Sequence, residues 1–383
     1  MTGMEVCLGD IVTIGRGSSP RPIKDEKYFK DGSIPWVKIA DATASGKYII
    51  QTKQFVNEYG ASFSRHLKKG SLIISASGTL GTPYFLGVDA CIHDGWLYFS
   101  DYAGVEPEWL YYKLMTLKEY FNGISYGAAI QNINTDIVRE TKIFLPDLEI
   151  QAKQVQILKS IDDLSRTYED RIRIYESVLE ELYNSWFINF KFPNHEQVEF
   201  VDGIPEGWEY NELIELFVLQ RGFDLSNSKR ILGDIPIYAS TGIVGYHNEN
   251  KVLEKTVITG RSGSLGEVMI TNGPSWPLNT TLWVKEFKKF TPEMAYFTLK
   301  NLELESFNAG AAVPTLNRND VHKVKILTPT KEIINEFSKL ASQIFDQIHL
   351  LKLKNEKLVE LKETLLPRLM SGELYISKLS SIE

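Results

Sequence analysis

Six short polar stretches hold the side chains best suited to recognition chemistry. They are Arg16-Gly-Ser18-Ser-Pro-Arg21, Ser77-Gly-Thr79, Gln131-Asn132-Ile-Asn134, Gln220-Arg221-Gly222, Arg261-Ser262-Gly-Ser264 and Thr315-Leu-Asn317-Arg318, with Lys38 as a further cation. Arg, Asn and Gln form paired hydrogen bonds to the edges of guanine and adenine, while Ser, Thr and backbone N–H groups suit phosphate oxygens. Loops of Gly, Ser, Asn and Arg are also ordinary turn chemistry, and Asn134 and Asn317 equally suit the cap of a following turn. The set outweighs its members because it comes in matched pairs.

The pairs belong to a long-period duplication. Leu72–Gly81 aligns with Val257–Gly266, and Pro107–Leu117 with Pro292–Leu302, both at an offset of 185 residues. Gly127–Asn134 aligns with Gly310–Asn317 at an offset of 183, and the same offset relates Pro146 to Pro329. Two copies of one module of roughly 190 residues describe the chain most economically. Matched positions keep their glycines and exchange the side chains around them: Ala76 stands where Arg261 does, and Gln131 where Pro314 does. Two modules with one scaffold and different targets would leave that pattern.

Each copy has two unlike parts. Residues 1–146 and 193–329 mix short β-rich runs with Gly, Pro and Ser turns, around one helix that opens at Pro107 or Pro292. Residues 147–192 and 330–383 hold long runs free of Pro and Gly, about 148–187 and 331–366. Along the first, Leu158, Ile161, Leu164, Tyr168, Ile172, Tyr175, Leu179, Leu182 and Trp186 recur at a mean spacing of 3.5 residues. Phe337, Leu340, Ile344, Ile348, Leu351, Leu358, Leu361 and Leu365 also span 28 residues, with a polar gap at Lys354 and Asn355. That period predicts a coiled-coil seam rather than two helices each packed only on its own module. The predicted fold is α+β: two similar β-rich domains joined by two long antiparallel helices in an intramolecular coiled coil, related by a pseudo-twofold axis.

Complete catalytic motifs are missing. Asp41–Lys47 lacks the first glycine and the hydroxyl residue of a phosphate loop. His66, His93, His195, His247, His322 and His349 show no metal-ligand spacing, and Cys7 and Cys91 are too few for a thiolate site. Neither a nucleophile elbow nor a methyltransferase Asn/Asp-Pro-Pro-Tyr/Phe element occurs. The chain is expected to be no enzyme by itself and to bind no metal or cofactor. No stretch reaches the ~18–20 uncharged apolar residues that cross a bilayer, and Met1–Asp10 does not read as an export signal. The expected setting is the cytoplasm, with no membrane partner.

Net charge is -7, from 42 basic and 49 acidic residues, which weighs against a simple polyanion binder. Phosphate attraction must then come from local patches, Arg16/Arg21/Lys24/Lys27/Lys30, Arg65/His66/Lys68/Lys69 and Arg221/Lys229/Arg230, or from a partner, and must depend steeply on salt. The competing reading is a duplicated β-rich adaptor or adhesin scaffold that does not touch DNA. A third is one domain cut from a larger fused enzyme.

Three further elements carry a resemblance: Ile204-Pro-Glu-Gly-Trp208, Leu182-Tyr-Asn-Ser-Trp-Phe187 and the terminal Leu365-Leu-Pro-Arg-Leu-Met-Ser-Gly-Glu-Leu374. With the repeated Gly-Ala-Ala before each long helical run, they make the whole chain resemble the specificity (S) subunits of type I restriction–modification systems. The first module departs from the pattern by opening directly at Met4–Gly9, without an Ile-Pro-x-Gly-Trp element. The resemblance implies two target recognition domains, each reading one half of a bipartite site in double-stranded DNA. It implies helical regions that act as spacer and as docking surface for two methyltransferase (M) subunits. S-adenosylmethionine is then expected on those M subunits, and ATP hydrolysis and cleavage on a restriction (R) subunit of the full complex.

Overall fold

The computed structural model describes residues 3–125, 132–307 and 315–374. It divides into two compact units, Met1–Ser165 with Lys357–Glu383, and Arg166–Glu356. The division falls inside both long helices, so each unit holds one β-rich module and a stretch of each helix.

In the first unit, five strands run in the order Thr13–Arg16, Trp96–Ser100, Leu72–Ser75, Pro83–Leu86 and Tyr48–Ile49. All neighbours are antiparallel except the last pair. Leu72, Ile73 and Ile74 are fully buried, as an unbroken apolar run in a central strand requires. A second sheet sets Ile34–Val37 parallel to Ala90–Ile92.

The second unit repeats this plan. Phe217–Arg221, Thr281–Phe287, Val257–Gly260 and Val268–Ile270 occupy the order of the first four strands above, and Ile235–Ala239 runs parallel to Trp276–Pro277. Helices Pro107–Thr116 and Pro292–Asn301 both carry proline in the first turn, where its missing N–H costs nothing. The turns after Leu72–Ser75 and Val257–Gly260 need glycine at the same places. Gly78 and Gly81 have φ of +70° and +74°, and Gly263 and Gly266 have +90° and +85°. Any side chain there would be strained.

The long helices are Leu148–Tyr183 and Lys331–Met370, of 36 and 40 residues. In the first unit Gln154 meets Leu369 and Asp162 meets Lys362. In the second, Glu176 meets Lys352 and Tyr183 meets Phe337. Within each unit the partner's number falls as the residue number rises, so the two helices run antiparallel.

Two details differ from the sequence expectation. Leu164, Leu340 and Leu361 are not in a closed seam but are 40%, 40% and 45% exposed. The helices owe part of their apolar stripe to the modules. Leu158 joins the core of the first, and Leu179, Trp186, Phe337 and Ile348 that of the second. A stripe shared between a module and a neighbouring helix need not keep a strict 3.5-residue period. The second helix also continues past Pro367 to Met370. Proline in the last turn forfeits one hydrogen bond, Leu369 and Met370 gain full burial, and Gly372 at φ +81° ends the helix.

Candidate nucleic-acid interface

In the first unit the candidate residues gather where loops leave one end of the five-stranded sheet. Gly17 N–H donates to the Trp96 carbonyl at 2.9 Å, Ala76 N–H to Gly95 at 2.8 Å, and Ile133 N–H to Ala76 at 2.9 Å. These bonds join Arg16, Ser77, Asp94 and Asn132 into one surface. Arg16 Nε donates to the Asp94 carbonyl at 2.8 Å, and its terminal nitrogen to Asn132 Oδ1 at 2.9 Å. Ser19 Oγ donates to Asp94 Oδ1 at 2.9 Å, and the Arg21 guanidinium pairs with Oδ2. Partial burial opposes the Asp94 charge, but Ser19, Arg21 and His93 prevail and hold its carboxyl below the usual range. Burial pushes His93 down against the pull of Asp94, and its Nδ1 accepts the Gly95 N–H at 2.8 Å.

Ser18 and Thr79 are exposed and Ser77 is half-buried. Lys38 sits at the margin, its ammonium 5.1 Å from the Trp36 ring, which packs edge-on to His93. Gln131 and the Gly-Ala-Ala parts of the repeated motif lie outside the described residues.

The second unit builds the equivalent surface. Gly222 N–H donates to Thr281 at 3.1 Å, Arg261 N–H to Thr280 at 2.8 Å, and Leu316 N–H to Arg261 at 2.8 Å. The last bond is the counterpart of Ile133 to Ala76. The Arg261 guanidinium donates to the Asn279 carbonyl at 3.4 Å, as Arg16 does to Asp94. Arg221 pairs with Asp224 at 3.8 Å, and the Asn279 amide donates to the same carboxylate. Ser262 bridges to Thr315, while Ser264 and Arg318 are exposed.

Asn134 and Asn317 both act as helix caps. Asn134 Oδ1 accepts the Ile137 N–H at 2.7 Å, and Asn317 Oδ1 the Asn319 N–H at 3.1 Å. Their amide NH2 groups are what remains for another acceptor. Sequence reasoning missed Ser19, Asp94, Asp224 and Asn279. Asp94 and Asn279 fall on the 185-residue offset, so pairing every polar residue at that spacing would have found them.

Each surface offers forked guanidinium donors, amides and hydroxyls, a set suited to hydrogen-bonding recognition. Among the described residues, no group of three or more His, Cys, Asp or Glu is placed to hold a metal ion, and no helix is long and apolar enough to cross a membrane.

Comparison with known proteins agrees with this duplicated surface. The family described as "Type I restriction modification DNA specificity domain" matches residues 2–174 and again 205–363. The type I restriction enzyme MjaIX specificity subunit of Methanocaldococcus jannaschii is 26% identical, over 97% of this chain and 93% of that protein. The HindI specificity subunit of Haemophilus influenzae is 24% identical, over 80% of this chain and 87% of its own length. In fold, the type I restriction–modification S subunit from M. genitalium superposes with a TM-score of 0.67 at 15% identity, covering 97% of this chain and 96% of that one. None of these relatives is an adaptor or adhesin. With two family matches that together span most of its length, the chain belongs to the type I restriction–modification DNA specificity family, the DNA sequence-recognition subunits of those systems.

Proposed function

We propose that each module reads one half of a bipartite sequence in double-stranded DNA through the loop surface at the end of its main sheet. One observation carries this reading. Both modules hold their loops with the same backbone bonds, Ile133 to Ala76 and Leu316 to Arg261, yet present different side chains on them. A constant frame with exchanged donors is what two separate half-sites demand. The two long helices serve as a ruler between half-sites and as the docking surface for two methyltransferase subunits. S-adenosylmethionine and methyl transfer belong to those subunits, and cleavage to a restriction subunit, so this chain contributes recognition and no bond chemistry.

Arg261→Ala in the assembled complex, assayed on specific and unrelated duplexes at fixed salt, tests the reading. Base readout predicts a loss of about 1–3 kcal/mol confined to one base position of one half-site. A uniform loss assigns Arg261 to phosphate, and no loss on either duplex contradicts the proposed surface. Inserting a helical turn near Arg171–Glu176 should change the spacer and leave the half-site bases intact; unchanged spacing would end the ruler idea.

A further inference from the structure

The two surfaces share a device that their sequences do not. In each, one arginine is anchored on the backbone carbonyl of the same sheet-end position, and a second arginine pairs with a carboxylate within the surface. In the first module Arg16 holds the Asp94 carbonyl and the Asp94 carboxylate holds Arg21. In the second, Arg261 holds the Asn279 carbonyl, and Asp224 takes both Arg221 and the Asn279 amide. The acid stands on opposite loops: Asp94 precedes the strand Trp96–Ser100, whereas Asp224 follows the strand Phe217–Arg221. Common ancestry of the scaffold does not account for it, because the pairs occupy non-equivalent positions.

An exposed carboxylate on a surface that meets a polyanion weakens every phosphate contact near it. Both Asp94 oxygens are engaged, so the group is placed to orient donors rather than to accept a base itself. We infer that Asp94 and Asp224 are specificity-positioning residues that restrain Arg21 and Arg221, so that indiscriminate phosphate binding is suppressed and the cations engage only on a matching half-site. The inference rests on the DNA-reading function proposed above. It adds a trade that function alone does not require: weaker binding everywhere in exchange for discrimination.

The test uses the full chain assembled with its methyltransferase partner. Asp94→Ala is compared with the unaltered chain on a duplex carrying the methylated site and on an unrelated duplex, across a salt series. The Asp94 side chain is 41% exposed, so the variant is expected to fold, and Asp94→Asn supplies a second variant that keeps a side-chain acceptor, the amide that the second module uses at position 279. The expected result is opposite in sign on the two duplexes. Unrelated DNA binds a few-fold tighter with a salt slope steeper by about one ion, while the specificity ratio falls about tenfold or more at one base of the first half-site. Asp94→Asn, which removes the same charge, tightens unrelated DNA likewise but keeps part of the discrimination through its acceptor oxygen, and Asp224→Ala repeats the effect in the second half-site alone. Equal weakening on both duplexes would make Asp94 a structural prop, and an unchanged ratio would make it a spectator; either overturns the inference while the DNA-reading function stands. An unaltered complex without site preference would overturn both.

Discussion

The two modules grip the long helices in different ways at equivalent positions. In the first, Trp109 Nε1 donates to Gln154 Oε1 at 2.6 Å, Gln154 donates to the Leu369 carbonyl at 2.6 Å, and Tyr112 donates to Asp162 at 2.7 Å. Gln154 is 1% exposed, so this joint is a buried polar network. At offsets of 185 and 183 the second module places Met294, Phe337, Phe297 and Phe345. There the joint is a cluster of rings, with Phe297 5.9 Å from Phe337, 6.2 Å from Phe345 and stacked on Tyr183 at 5.0 Å. Glu108 and Glu293, matched at the 185-residue offset, each pair with a lysine, but from non-equivalent places: Lys47 just before Tyr48–Ile49 and Lys255 shortly before Val257–Gly260. One architecture can thus be closed by hydrogen bonds or by apolar contact. The first needs every member satisfied; the second tolerates change so long as volume is kept.

The sharpest way to break this comparison is Trp109→Ala, which opens a cavity and strips Gln154 of its donor. Destabilisation of the first module by about 3–5 kcal/mol is expected, read as faster amide exchange in Leu72–Ser75 with Val257–Gly260 unchanged. Equal loss in both modules would mean that the joints are not independent. Gln154→Leu is milder, about 1–3 kcal/mol, because the buried Trp109 N–H loses its acceptor while the Leu369 carbonyl keeps the Gly372 N–H. Transplanting the other module's pair, Trp109→Met with Gln154→Phe, should cost clearly less than the sum of its single changes. Simple additivity would show that the two joints are not interchangeable solutions.

A smaller effect separates the edge strands by pH. Arg139 donates to the Ile14 carbonyl at 3.0 Å, whereas at the matching site the neutral His322 Nε2 accepts the Leu219 N–H at 2.9 Å. Burial, followed by Arg318 and Lys288, pushes the His322 pKa below 6.5. A depressed histidine stabilises the fold while neutral, so its contribution is complete above 6.5 and is lost as pH falls through the folded value. His93 titrates in the same direction in the first module, so the comparison is best made within one module. His322→Gln, which keeps an acceptor, should flatten the acid sensitivity of Phe217–Arg221 in amide exchange corrected for the intrinsic rate. An unaltered acid response in that variant would place the titration elsewhere.

The duplication was legible because positive φ strongly favours glycine: Gly78/Gly263 and Gly81/Gly266 stand at a fixed offset in sequence and in conformation. The helices were legible from their apolar period, but the exposure of Leu164, Leu340 and Leu361 was not, since a periodic stripe does not say whether a module or a helix covers it. The candidate arginines could be named, whereas their restraint by Asp94 and Asp224 could not. An aspartate among loop residues looks like turn chemistry until the opposing loop is folded against it.

The central claim is that the two surfaces read separate half-sites. Its most direct test replaces residues 1–146 with the matching module of another family member, assembles the complex with its methyltransferase, and maps the methylated sites. The account predicts a new sequence in one half, with the other half and the spacing retained. Change in both halves, or in neither, would contradict it.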